Sequence, residues 1–206
     1  MSIKNEFMAI VEQFKKDHPV SAFRNSEVYA QWLGQTYFFV LHSTALLGFA
    51  LPHLKNMQLR HHFEHHLGEE TRHDLVAMKD IERLGFHVNE FSEWSETQAL
   101  YQSQYFRVQF EAGTALLGYI LLLEGLAVHW GKDIYEEIKD LHKGAALFLK
   151  VHAEEDPKHL EDALKTIMSL PVNEQEAILR NLRYSADMYS RLVKRAFQCK
   201  KLQAAA

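Results

Sequence analysis

Gly113-Thr114-Ala115-Leu116-Leu117-Gly118-Tyr119-Ile120-Leu121-Leu122-Leu123-Glu124-Gly125-Leu126-Ala127-Val128 is apolar on nearly every face a helix could present. Phe38 to Leu51 has the same character. Both runs fall short of the about 20 residues that cross a bilayer core, and a carboxylate, Glu124, stands inside the first. They read instead as central helices of a soluble bundle, buried on most faces. Outward from them, apolar residues recur at three- and four-residue spacing, and no segment alternates as a strand would. Helix breakers are scarce, with 4 Pro and 9 Gly. The pattern predicts helices over about Ile3–Lys16, Glu27–Leu51, Met57–Leu84, Ser92 or Ser95 to Trp130 with a bend, Asp133–Glu155, a short one to Ser169, and Asn173–Lys200. The expectation is an all-α, single-domain bundle of about seven helices spanning residues 1–206.

The 206 residues suit one core. A net charge of −4 with mixed signs gives no footprint for nucleic acid or an anionic membrane. One cysteine, Cys199, excludes a disulfide framework and a thiolate metal site. Met1 to Lys16 is charged throughout and resembles no secretory or transit segment, so a cytoplasmic location is expected.

Histidine is abundant, with 13 copies, and its placement is informative. In His61-His62-Phe63-Glu64-His65-His66-Leu67-Gly68-Glu69-Glu70-Thr71-Arg72-His73, Glu70 and His73 share a helix face, and His66 lies one turn earlier on the same stripe. His61, His62 and His65 read as solvated surface. Glu124 is a lone carboxylate in a buried helix; it needs protonation, a cationic partner from another helix, or a metal. His42, on the other apolar run, reads as a core or pocket histidine. In His152-Ala153-Glu154-Glu155-Asp156-Pro157-Lys158-His159, positions 152, 156 and 159 fall on one stripe. The alternative for Asp156 is a helix N-cap, with Pro157 at the first helical position. Three carboxylates and three imidazoles suit iron or manganese.

The order Glu70-x-x-His73, Glu124, His152-x-x-x-Asp156-x-x-His159 resembles the haem-oxygenase-like diiron oxidases and oxygenases. The resemblance covers roughly Met57 to Leu164. It implies a haem-oxygenase-like fold whose metal ligands are Glu70, His73, Glu124, His152, Asp156 and His159, with Glu64, His66 or Glu69 replacing or supplementing Glu70. The implied cofactor is two ferrous ions, or manganese or a mixed pair. Dioxygen is the co-substrate, and the substrate is a small amino acid, amine or fatty acid. An external electron donor and a homodimer are compatible with it. The chlamydial branch that makes para-aminobenzoate has a tyrosine just before the lone Glu; here that position is Leu123. Thiaminase II shares the fold, and a metal-free, thiaminase II-like binder or hydrolase is the alternative reading. Its mid-chain cysteine nucleophile has no counterpart here. Tyr105, Arg107 and His42 are candidate pocket residues.

Overall fold

A computed structural model describes residues 2–142 and 144–199, except for the side chains of Glu155, Asp156 and Lys158. The described backbone is helical, without strands. The α-helices are α1 (Ile3–Asp17), α2 (Ser26–Val40), α3 (Ser43–Ala50), α4 (Met57–Glu69), α5 (His73–Arg83), α6 (Ser95–Phe110), α7 (Leu116–Leu126), α8 (Lys132–Ile138), α9 (Leu147–Ser169) and α10 (Val172–Gln198). Three pairs, α2 with α3, α4 with α5, and α7 with α8, continue one another across short irregular turns. Counted as runs, the described helices number seven, as expected, though over different spans.

Local chemistry sets several starts. The Ser2 hydroxyl accepts from Asn5 N–H at the head of α1. Asn25 caps α2 through Glu27 and Val28 N–H, and Asn56 caps α4 through Gln58 and Leu59 N–H. α7 is the central helix, packed on α9, α10 and α1. Two glycines permit this. A β-carbon at Gly118 would lie 2.2 Å from the Ile178 carbonyl oxygen on α10, and one at Gly125 would lie 2.2 Å from the Phe7 ring on α1. The helical run Gly113–Ile138 is long and apolar enough to cross a membrane, but 78% of its most apolar window is buried by its neighbours. Its apolarity is that of a core helix.

The boundaries differ from the sequence reading at several points. Glu27–Leu51 breaks at Leu41–His42, and Leu41 is exposed there. Met57–Leu84 breaks at Glu70–Arg72, where Arg72 takes a left-handed conformation (φ 76°). The expected helix from Ser95 to Trp130 is interrupted at Glu111–Ala112, and a π-helical turn, Ala127–Gly131, carries it past Gly131 into α8. The expected helix Asp133–Glu155 does not form: α8 ends at Ile138, Gly144 adopts φ 79°, and a new helix starts at Leu147. That helix then runs through Pro157 without stopping. Asp156 is therefore interior to α9 and not an N-cap; its side chain lies outside the described residues.

Candidate metal centre

The site lies where α4, α5, α7 and α9 meet, beside a cavity. α4 brings His66 to its last turn, and Glu70 follows in the turn itself. The left-handed Arg72 then redirects the chain so that His73 opens α5. α7 contributes Glu124 one turn before the π-helical segment. α9 contributes His152 and His159. Each of these elements thus departs from regular helix beside its candidate ligands, through a left-handed residue, a π turn or an interior proline. Such irregularities concentrate at functional sites.

Two trios form. Glu70, His73 and His152 place one potential ligand atom each within 4.8 Å of one another, and so do His66, Glu124 and His159. The trios adjoin: His66 Nε2 lies 3.3 Å from Glu70 Oε1 and 3.2 Å from Glu124 Oε1. Within the first, His73 Nδ1 is 3.5 Å from Glu70 Oε2, and the His73 and His152 ring centres are 4.9 Å apart. Within the second, His159 Nδ1 is 4.0 Å from Glu124 Oε1. Glu69 reaches the edge of the site, 3.3 Å from His159 Nε2.

Burial shapes the electrostatics. It favours the neutral form of Glu70, but the hydrogen bonds of His66 and His73, with the charges of His66 and His152, more than offset it. The Glu70 carboxyl is held well below its usual range. His152 Nδ1–H donates to the Phe148 carbonyl at 2.8 Å, so in the neutral ring Nε2 carries the lone pair. The Phe148 ring packs on the same imidazole, centres 4.2 Å apart.

Of the six residues expected as ligands, five come together; Asp156 lies outside the described side chains. His66 stands in the second trio, beside Glu70 and not in its place. Glu64 is turned to solvent beside exposed His61. His65 is exposed too, while His62 is half-buried, and burial lowers its pKa.

Between the two trios and α2, α3 and α10 lies a cavity of about 100 Å³, lined in part by His66, Glu70, Glu124 and His152. The rest of its wall is mostly apolar, including Leu46, Ile120 and Trp130. None of the three pocket candidates lines it. His42 stacks on Tyr101 (3.8 Å), Tyr105 packs on Phe49, and Arg107 pairs with Glu111 while lying over the Tyr184 ring. Sequence reasoning missed Tyr119, a cavity residue on α7; its only signal was a polar tip in an apolar helix, five positions before Glu124.

A profile describing iron-containing redox enzymes matches residues 30–190. The chain belongs to that family. Solved structures share the fold. A domain of unknown function with a haem-oxygenase-like fold from Shewanella denitrificans superposes with a TM-score of 0.83 at 17% identity, over 95% of this chain and 90% of that one. A TenA homologue from Pseudomonas syringae gives 0.76 at 12%, over 96% and 93%. A TenA homologue from Pyrococcus furiosus gives 0.70 at 11%, over 95% and 100%. At such identities these likenesses speak to fold alone. A search of curated proteins found no match. The all-α, haem-oxygenase-like architecture and the iron-redox family are therefore established together.

Proposed function

We propose that the protein is a non-haem diiron oxidase or oxygenase that uses dioxygen to oxidise or cleave a small organic substrate. The observation that carries this reading is the pair of adjoining trios, each of two imidazoles and one carboxylate, on the wall of an apolar cavity. The donor set fits iron: nitrogen and oxygen only, clustered to within single-ion reach, from helices that the core holds in place. Glu70, His73 and His152 would hold one ion and His66, Glu124 and His159 the other, with Asp156 as a further carboxylate on α9. Bound iron supplies the redox chemistry with dioxygen that side chains cannot perform.

The chain's own residues do the rest. The lowered pKa keeps Glu70 ionised and able to ligate. The Phe148 carbonyl fixes the His152 ring and its tautomer. The apolar walls offer few groups that hold water beside the reacting centre, and the cavity suits a small molecule. The metal-free, thiaminase II-like alternative draws support from the shared fold. It receives none from the cavity, because Cys199 ends α10 and does not line it.

Ferrous-loaded protein is expected to consume oxygen in a substrate screen drawn from amines, amino acids and fatty acids. His152→Ala and Glu124→Gln are expected to abolish that consumption. Undiminished consumption in both variants would remove the assignment.

A further inference from the structure

Tyr119 sits on α7 in the wall of the cavity, 4% exposed. Its hydroxyl is fully buried and has no hydrogen-bond partner among the described residues. Three other polar groups on that wall have partners. The Thr36 hydroxyl donates to the Trp32 carbonyl, Trp32 Nε1–H to the Tyr189 hydroxyl, and Trp130 Nε1–H to the His18 carbonyl. A phenylalanine would fill the same space without burying an unsatisfied hydroxyl, which costs stability. Burial, with the charge of Glu70, raises the phenol's pKa, so the hydroxyl stays protonated and is a donor at neutral pH.

We propose that Tyr119 anchors the substrate, its hydroxyl donating a hydrogen bond to an oxygen or nitrogen acceptor on a small, otherwise apolar molecule seated in the cavity. The inference rests on the cavity being the substrate site of the diiron reading. It deepens that reading by stating what the substrate must carry: an apolar body matched to Leu46, Ile120 and Trp130, and an acceptor within reach of α7 near Glu70. It also separates substrates that differ in that one atom, because a buried donor left without its acceptor discriminates strongly against the analogue lacking it.

The test compares cyclopentanone, which can only accept, with cyclopentane, which can do neither. Both are small rings on the scale a cavity of this size admits. Each is titrated into the full-length protein, as purified and after anaerobic ferrous loading, for the wild type and Tyr119→Phe. The variant is expected to bind the ketone about tenfold more weakly and cyclopentane equally well. Its melting temperature should not fall and its iron content should not change. The carbonyl stretch of bound ketone should lie at lower frequency in the wild type than in the variant. Equal ketone affinity in the two proteins, absence of ketone binding by the wild type, or a melting temperature several degrees lower in the variant would overturn the proposal. An iron-binding wild type with no ketone discrimination defeats only the Tyr119 assignment. Ketone discrimination in a protein that takes up no iron defeats only the diiron reading.

Discussion

His152 shows how local bonding sets a candidate ligand. Its Nδ1–H is committed to a backbone carbonyl one turn earlier, which leaves Nε2 as the nitrogen that carries the lone pair, in a ring grouped with Glu70 and His73. In ¹⁵N-labelled, metal-free protein near neutral pH, His152 is expected in the Nδ1–H tautomer, read from its two ring-nitrogen shifts. The opposite tautomer would contradict the geometry. At this scale much of the site was legible in sequence. Glu70, His73, Glu124, His152 and His159 were singled out by helical spacing or by a charge in an apolar run, and they do converge. His66 drew notice because it lies one turn before Glu70, and it stands in the second trio. Tyr119 was not legible, because an unpartnered hydroxyl is defined by its neighbours, which only the packed structure provides. The pocket candidates Tyr105, Arg107 and His42 failed for the same reason: each found a partner elsewhere.

Among the elements, the joint between α5 and α9 matters most for the site. Asp80, fully buried on α5, accepts from Phe148 N–H at 2.7 Å and so caps the first turn of α9; its other oxygen accepts from Arg83 at 3.0 Å. Burial raises the Asp80 pKa despite those bonds. One carboxylate thereby ties the helix that begins with His73 to the helix that carries His152. Asp80→Ala leaves the Phe148 N–H and Arg83 without this acceptor, and a loss of roughly 1–3 kcal/mol of unfolding free energy is expected in denaturant melts. A variant as stable as the wild type would show that the tie contributes little. This joint also explains the largest misreading of the sequence. Apolar spacing runs on from Asp133 toward Glu155, but Gly144 in left-handed backbone and a cap supplied 68 positions away restart the helix at Leu147. A long-range cap leaves no local signature. Pro157 misled in the other direction, since packing along α9 carries the helix through a residue that locally disfavours it.

For the whole molecule, the seven-run bundle was readable because helix periodicity and apolar content agreed along the chain. The same bundle buries titratable groups unconnected with the candidate metal centre. His18, beneath Trp130, is 1% exposed, with Nδ1–H on the Phe14 carbonyl and Nε2 near the Ser190 hydroxyl. Burial lowers its pKa, against the opposing bonds to Phe14 and Ser190, and nearby Lys194 acts in the same direction as burial. The folded state therefore binds this proton less readily than the unfolded chain. Its contribution to stability is complete above the ordinary histidine value of about 6.5 and is lost as pH falls below it. His18→Asn is expected to flatten the pH dependence of stability in that window, measured in the presence of a chelator; identical profiles would contradict it.

The most direct test of the central claim is the iron content of the full-length protein after anaerobic loading with ferrous ion and removal of the excess. About two ions per chain are expected, falling in His152→Ala and in Glu124→Gln, which strike different trios. A wild type that retains no iron, with or without candidate substrates present, would contradict the diiron assignment.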